Sequence, residues 1–140
     1  MKTPISAWID YASDVSPDGE SVARYDEAME VAMGAPTMGT LVVIRRGREH
    51  VVSARAGASM VWSDDSRLLA FSEWTQSMMQ NLCVYCVADG SVKRNPEEFR
   101  VLELHAFSDG RISGVDSPIH MPRTFSLAYK NEAESGRNGD

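Results

Sequence analysis

Asp109-Gly110 constrains this chain more than any other feature. The dipeptide supplies the positive backbone angles of a two-residue hairpin turn. It lies between residues 99–107, which alternate in hydrophobicity with period two, and the shorter run 111–115. Similar units recur along the sequence. Extended, apolar or β-branched runs at 40–44, 50–53, 59–62, 68–71, 82–87 and 125–129 are separated by turn residues. Ser16-Pro17-Asp18-Gly19, Arg45-Arg46-Gly47-Arg48, Ser63-Asp64-Asp65-Ser66 and Ala88-Asp89-Gly90-Ser91 are the turns; 72–81 reads as a long connection. Residues 21–33 begin with strand alternation, and 26–33 read equally as a helical turn. No long amphipathic helix is visible. The expected fold is mainly β, about eight short antiparallel strands with at most one short helix.

A chain of 140 residues suits one domain. Residues 1–130 are expected to form it, and 131–140, without a large apolar side chain, to be a flexible tail. The formal charge is −6 and the pI about 5.0. That balance argues against nucleic-acid binding, which needs a basic face, and against adsorption to an anionic membrane. No apolar run approaches the roughly 20 residues of a membrane-spanning helix. The first ten residues lack a signal-peptide core, which predicts a cytoplasmic protein. Cys83 and Cys86 have C-x-x-C spacing but fall in an extended run, where residues three apart face opposite sides of a sheet. They are expected to be small buried apolar side chains.

Residues 62–71, Trp-Ser-Asp-Asp-Ser-Arg-Leu-Leu-Ala-Phe, resemble the W-S-P-D-G-x-x-L-A-F signature of the TolB-type β-propeller repeat, with Asp65-Ser66 where the repeat prefers Pro-Asp-Gly. The strand 81–87 and Asp89-Gly90 then match the repeat's next hairpin. An upstream echo runs from Val15 through Ser16-Pro17-Asp18-Gly19 to Ala23, followed by 41–44, and Ser16 and Ser63 stand 47 residues apart, about one blade. The resemblance covers residues 14–92 and implies blade-like antiparallel hairpins. A closed propeller needs roughly 4 to 8 blades, and this chain holds about two. The expectation is therefore a small sandwich of blade-like hairpins, or a partial propeller completed by oligomerisation, the sandwich being favoured. The resemblance transfers no catalytic residue.

No phosphate-binding glycine loop, nucleophile elbow or metal-ligand spacing occurs. His50, His105 and His120 are isolated from one another in sequence; His105 or His120 with Asp116 is the one enzymatic arrangement worth testing. Asp64, Asp65 and Asp89 suit turn chemistry better than a hard cation. The expectation is a non-enzyme with no catalytic residue, no metal and no cofactor.

Charge is segregated, with a net of −5 over residues 1–40 and +3 over 41–60. A solvated acidic face beside a basic hairpin tip is one reading; an acidic surface that docks a basic cleft is the other. Asp26, Glu27 and Glu30 carry that second reading. Trp74, Met78 and Met79, in the connection between two strands, either fold back onto the sheet or present an interface. Met29, Met33 and Met38 are open in the same way. The functional expectation is a protein-binding inhibitor, an immunity (antitoxin-like) protein whose acidic residues cover the basic active site of a cognate bacterial toxin. The alternative is a homo-oligomeric, propeller-like structural or ligand-binding module without catalysis.

Overall fold

Ten strands account for nearly every buried apolar side chain among the described residues. The computed structural model describes residues 3–119 and 121–129. β1 (Ala12–Val15), β2 (Ser21–Glu30), β3 (Thr37–Arg45), β4 (Arg48–Trp62), β5 (Leu68–Trp74), β6 (Gln80–Cys86) and β7 (Val92–Phe99) form one antiparallel sheet in sequence order. β8 (Leu102–Ser108), β9 (Arg111–Asp116) and β10 (Arg123–Ala128) form a second, smaller one. Among the described residues there is no helix: the stretch 26–33 continues β2 to Glu30 through a bulge, with Glu27 at φ 55°. The tail 131–140 lies outside the described residues.

The two serine turns have the same wiring. Ser16 Oγ donates to Asp18 Oδ1 (2.7 Å), which also accepts the Glu20 N–H, while the Ser21 N–H donates to Ser16 Oγ. Ser63, Asp65, Arg67 and Leu68 repeat this bond for bond. The position occupied by Gly19 (φ 75°) is occupied by Ser66 (φ 67°) in the second turn. A serine there is strained, but Ser66 Oγ accepts the Asp18 N–H at 2.8 Å and so ties the two turns together.

That tie is possible because the large sheet folds over at β4. The first half of β4 pairs with β3 and the second with β5, with the β5 register shifting between Ala56 and Met60. Residues 56–59, where the register shifts, are Ala, Gly, Ala and Ser, small side chains that offer little resistance to curvature. Across the fold, Trp62 Nε1 donates to Asp14 O (2.9 Å) and Trp74 Nε1 to Thr37 O (3.0 Å). Tyr25, Leu41, Val43, Met60, Trp62, Leu69, Phe71, Cys83 and Tyr85 fill the space between the halves. Among the described residues β1 and β7 are the two edges of this sheet and do not pair with each other, so no barrel closes.

Alternate residues of β5 and β6 point the other way. Ala70, Leu82 and Val84 meet Phe99, Leu102, Leu104, Phe107 and Ile112 in a second core under the small sheet. This explains why 68–71 and 82–85 are apolar without alternation: both faces are buried, each large side chain contributing about 1.5–3 kcal/mol. The free edge of β8 is satisfied by side chains of the larger sheet. Leu102 N–H donates to Gln80 Oε1 (2.7 Å) and Leu104 N–H to Ser59 Oγ (2.8 Å). Asp116 accepts the Arg100 and Val101 N–H groups at 3.1 Å each and so holds the corner where the chain changes sheets.

Three expectations about element boundaries are corrected. The runs 50–53 and 59–62 belong to one strand, β4. The expected connection 72–81 is mostly strand: β5 runs on to Trp74, β6 starts at Gln80, and only 75–79 form a tight turn, closed by the Thr75 N–H on Met79 O at 2.8 Å. Phe99 ends β7 and does not begin the hairpin strand, so the alternating run divides at residues 100–101. β1 and β7 had no counterpart in the sequence reading. β7 is rich in charge and contains Pro96, which an edge strand tolerates because one side of it needs no ladder bonds.

Candidate protein-binding surface

Thr37, at the start of β3, gathers four segments at one end of the larger sheet. Its N–H donates to Ala7 O (3.3 Å), its hydroxyl donates to Ile9 O (2.9 Å), and its carbonyl accepts the Trp74 indole. With the hydroxyl proton so used, Tyr25 Oη is the donor in its 2.7 Å bond to Thr37 Oγ1. Burial pushes the Tyr25 phenol upward, which suits a donor that stays protonated. Trp8 Nε1 donates to Gly34 O (2.9 Å), tying the N-terminal segment to the β2–β3 loop.

These bonds bring the two sequence-predicted partner elements to one end. Glu30 pairs with Thr37 in the ladder, and Trp74 leads into the β5–β6 turn that carries Met78 and Met79. Within this end the side chains differ in availability. Glu30 is exposed, as is Glu27, whose Oε1 accepts the Thr40 hydroxyl at 3.1 Å. Asp26 is half-buried and pairs with Arg24 Nε at 2.9 Å, which offsets its charge. Trp74 is buried and its indole is occupied, so it folds back onto the sheet and offers no anchor. Met78 is exposed, Met79 half-buried and Met38 half-buried. Met29 is 57% exposed and Met33 96%.

The sequence reading missed Trp8, Ile119 and Met121. Ile119 joins Trp8, Gly34 and Val101 around an open, largely apolar hollow of about 220 Å³, and both Ile119 and Met121 are more than three-quarters exposed. An apolar side chain in a loop carries no periodicity, so only its neighbours across the fold mark it as part of a patch.

The remaining candidates for chemistry lie apart. His105 Nε2 meets Glu103 Oε1 at 2.9 Å on the exposed side of β8, while Asp116 is occupied by the corner N–H groups and the Ser117 hydroxyl. His120 lies outside the described residues. Asp65 and Asp89 are held in their turns, Asp89 Oδ1 accepting the hydroxyl and the N–H of Ser91. Among the described residues no group of three potential metal ligands comes together. Cys83 points into the core and Cys86 away from it, and both are free thiols. Burial, with the Glu73 charge, pushes the Cys83 thiol up to about 12. Glu73 itself is nearly buried; it accepts the Ser53 hydroxyl at 2.6 Å and both Nε and a terminal nitrogen of Arg94, with Arg55 at 3.7 Å. This cluster joins β4, β5 and β7 and is complete without a ligand.

No protein-family model matches this chain, and no curated protein and no solved structure does so either. The likeness of residues 14–92 to the TolB-type repeat therefore rests on the residues quoted for it. No helix among the described residues is long and apolar enough to cross a membrane.

Proposed function

We propose that this chain is a protein-binding inhibitor, an immunity protein that neutralises a cognate bacterial toxin by covering a basic active site. The observation that supports this reading is the composition of the Thr37 end. Met29 and Met33 are exposed close in sequence to the exposed carboxylates of Glu27 and Glu30, Met78 is exposed in the β5–β6 turn that follows Trp74, and Gly34 of the β2–β3 loop borders the Trp8–Ile119 hollow. Flexible thioethers adapt to an irregular partner surface, and aromatic and methionine side chains are enriched in interface cores. Carboxylates beside them complement a cleft built to receive phosphate and speed encounter with it. Asp26 takes a lesser part than Glu27 and Glu30, because Arg24 already neutralises it.

The test is co-expression with the proteins encoded next to this chain, followed by affinity purification, mass spectrometry and light scattering. A stoichiometric complex with one larger protein, abolished by Glu27→Lys/Glu30→Lys and weakened by Met33→Asp, supports the reading. A complex indifferent to those changes, or none, removes it. A lone closed oligomer of this chain would favour the propeller-ring alternative.

A further inference from the structure

A second feature lies at the tip of the β3–β4 hairpin. The tip is a two-residue turn, Arg46-Gly47, with φ 52° and 76°, the mirror-image turn that matches strand twist. Gly47 adopts this conformation freely; Arg46 does so against steric preference. The turn places Arg45 directly opposite Arg48 in the ladder, with Val43 opposite His50 two residues inward. Like charges directly opposite on one face destabilise a strand pair, and the third guanidinium, Arg46, sits between them in sequence. The acidic β1–β2 turn sets Asp18 beside Arg45 and Glu20 beside Arg46, but it offers Arg48 no counter-charge.

All three arginines border one space. Val43, Arg45, Arg46, Arg48 and His50 line a cleft of about 450 Å³ with Tyr85 and Val87 of the opposite sheet half. Val43 and Tyr85 are buried at its floor, and the His50 and Tyr85 rings lie 5.5 Å apart. The fold balances this charge only in part, with the Asp18 carboxylate acting on Arg45. Arg46 reaches Glu20 only at 3.9 Å, Arg45 donates to the Ser21 hydroxyl at 3.2 Å, and Glu49 is engaged by Arg24 at 3.6 Å. Among the described residues no carboxylate lies within ion-pair reach of Arg48.

We infer that this cleft binds a small nucleotide-type ligand, a phosphomonoester carried on a planar ring. The guanidinium forks match phosphate oxygens in geometry and charge. The volume lies in the range of small-molecule sites, which combine an apolar floor with a few convergent polar groups. Val43, Val87 and the His50–Tyr85 pair supply the apolar and aromatic contact for the ring. The cleft is built from other residues than the Thr37 end, so the inference stands apart from the proposed inhibitor role.

The experiment is calorimetric titration of the whole chain with adenosine 5′-monophosphate, adenosine and inorganic phosphate. The nucleotide should bind at least about tenfold more tightly than either fragment, because only it engages both halves of the cleft. Arg46→Ala/Arg48→Ala should weaken nucleotide binding about tenfold or more while leaving the melting temperature unchanged or higher, since it relieves the repulsion with Arg45. Three results would overturn the inference: no saturable nucleotide binding up to about 10 mM, affinity matched by a fragment, or affinity unaffected in the folded double variant.

Discussion

Gly57 sits where β4 crosses closest to β5 and β6. A Cβ added there would overlap Ser72 Oγ outright and stand 3.0 Å from Gln80 Nε2 and 3.4 Å from Ser72 Cβ. Gln80 has little freedom to withdraw, because its Oε1 holds the Leu102 N–H. Gly57→Ala should therefore cost about 3 kcal/mol, the upper part of the overpacking range. For a chain of this size that lowers the melting temperature by roughly 10 °C. Ser72 Oγ is buried and has no hydrogen-bond partner among the described residues. Ser72→Ala should accordingly be neutral or stabilise by up to about 1 kcal/mol, as an unpaired hydroxyl leaves the interior. In the double variant the nearest remaining atom of residue 72 is its Cβ at 3.4 Å, an ordinary contact. Most of the loss should return, with a coupling energy of about 2 kcal/mol. Urea unfolding of the four proteins, followed by far-ultraviolet circular dichroism, measures the cycle. Strict additivity, with the double variant differing from Gly57→Ala only by the effect of Ser72→Ala measured alone, would refute the reasoning.

Ser66→Ala should destabilise by about 1–2 kcal/mol, losing the acceptor for Asp18 N–H while keeping the left-handed strain; Ser66→Gly, which removes both, should stay near wild type by the same unfolding measurement. The Asp18 and Asp89 carboxyls are drawn below their ordinary 3.8, Asp18 by the Ser16 hydroxyl and the Glu20 N–H, Asp89 by the hydroxyl and N–H of Ser91. Burial raises Asp65, but the Ser63 hydroxyl, the Arg67 N–H and the Arg67 charge together lower it more. These groups bind protons less readily folded than unfolded, so their contribution is complete above about pH 4 and is lost as pH falls through their folded values. Denaturation at a series of pH values should show a steeper acid loss in the wild type than in Asp18→Asn/Asp65→Asn/Asp89→Asn. Iodoacetamide at mildly alkaline pH should label Cys86 in the native protein, and Cys83 only after unfolding, because the Cys83 thiol is buried and shifted to about 12; mass spectrometry of the adducts checks it.

The local chemistry of this chain was legible before any fold. Asp109-Gly110 and the two serine turns are made by residues that bond within a few positions, so their geometry is written in the sequence and the structure reproduces it. The apolar runs marked β3, β5, β6, β8 and β9, and the divergence of Cys83 from Cys86 followed from strand periodicity. What tertiary structure decided is how those strands meet. β4 reads as two fragments because its small middle residues carry no pattern, yet their smallness lets the sheet fold over there. β7 was hidden because an edge strand can carry charge and proline, its outer side needing no partner.

The sites show the same division. Asp26, Glu27 and Glu30 lie within five residues of one another in sequence, but Arg24, two residues before Asp26, removes one of them from the acidic surface, a pairing that depends on side-chain direction. Trp74 could face inward or outward on composition alone; the carbonyl of Thr37, 37 residues earlier, turned it inward. The three arginines of the hairpin tip are plain in the sequence. Their cleft exists only because Tyr85 and Val87 arrive from the far half of a folded sheet. Turns and periodicity are short-range and survive in one dimension, whereas pockets and patches are made by residues that only the closing of the core brings together.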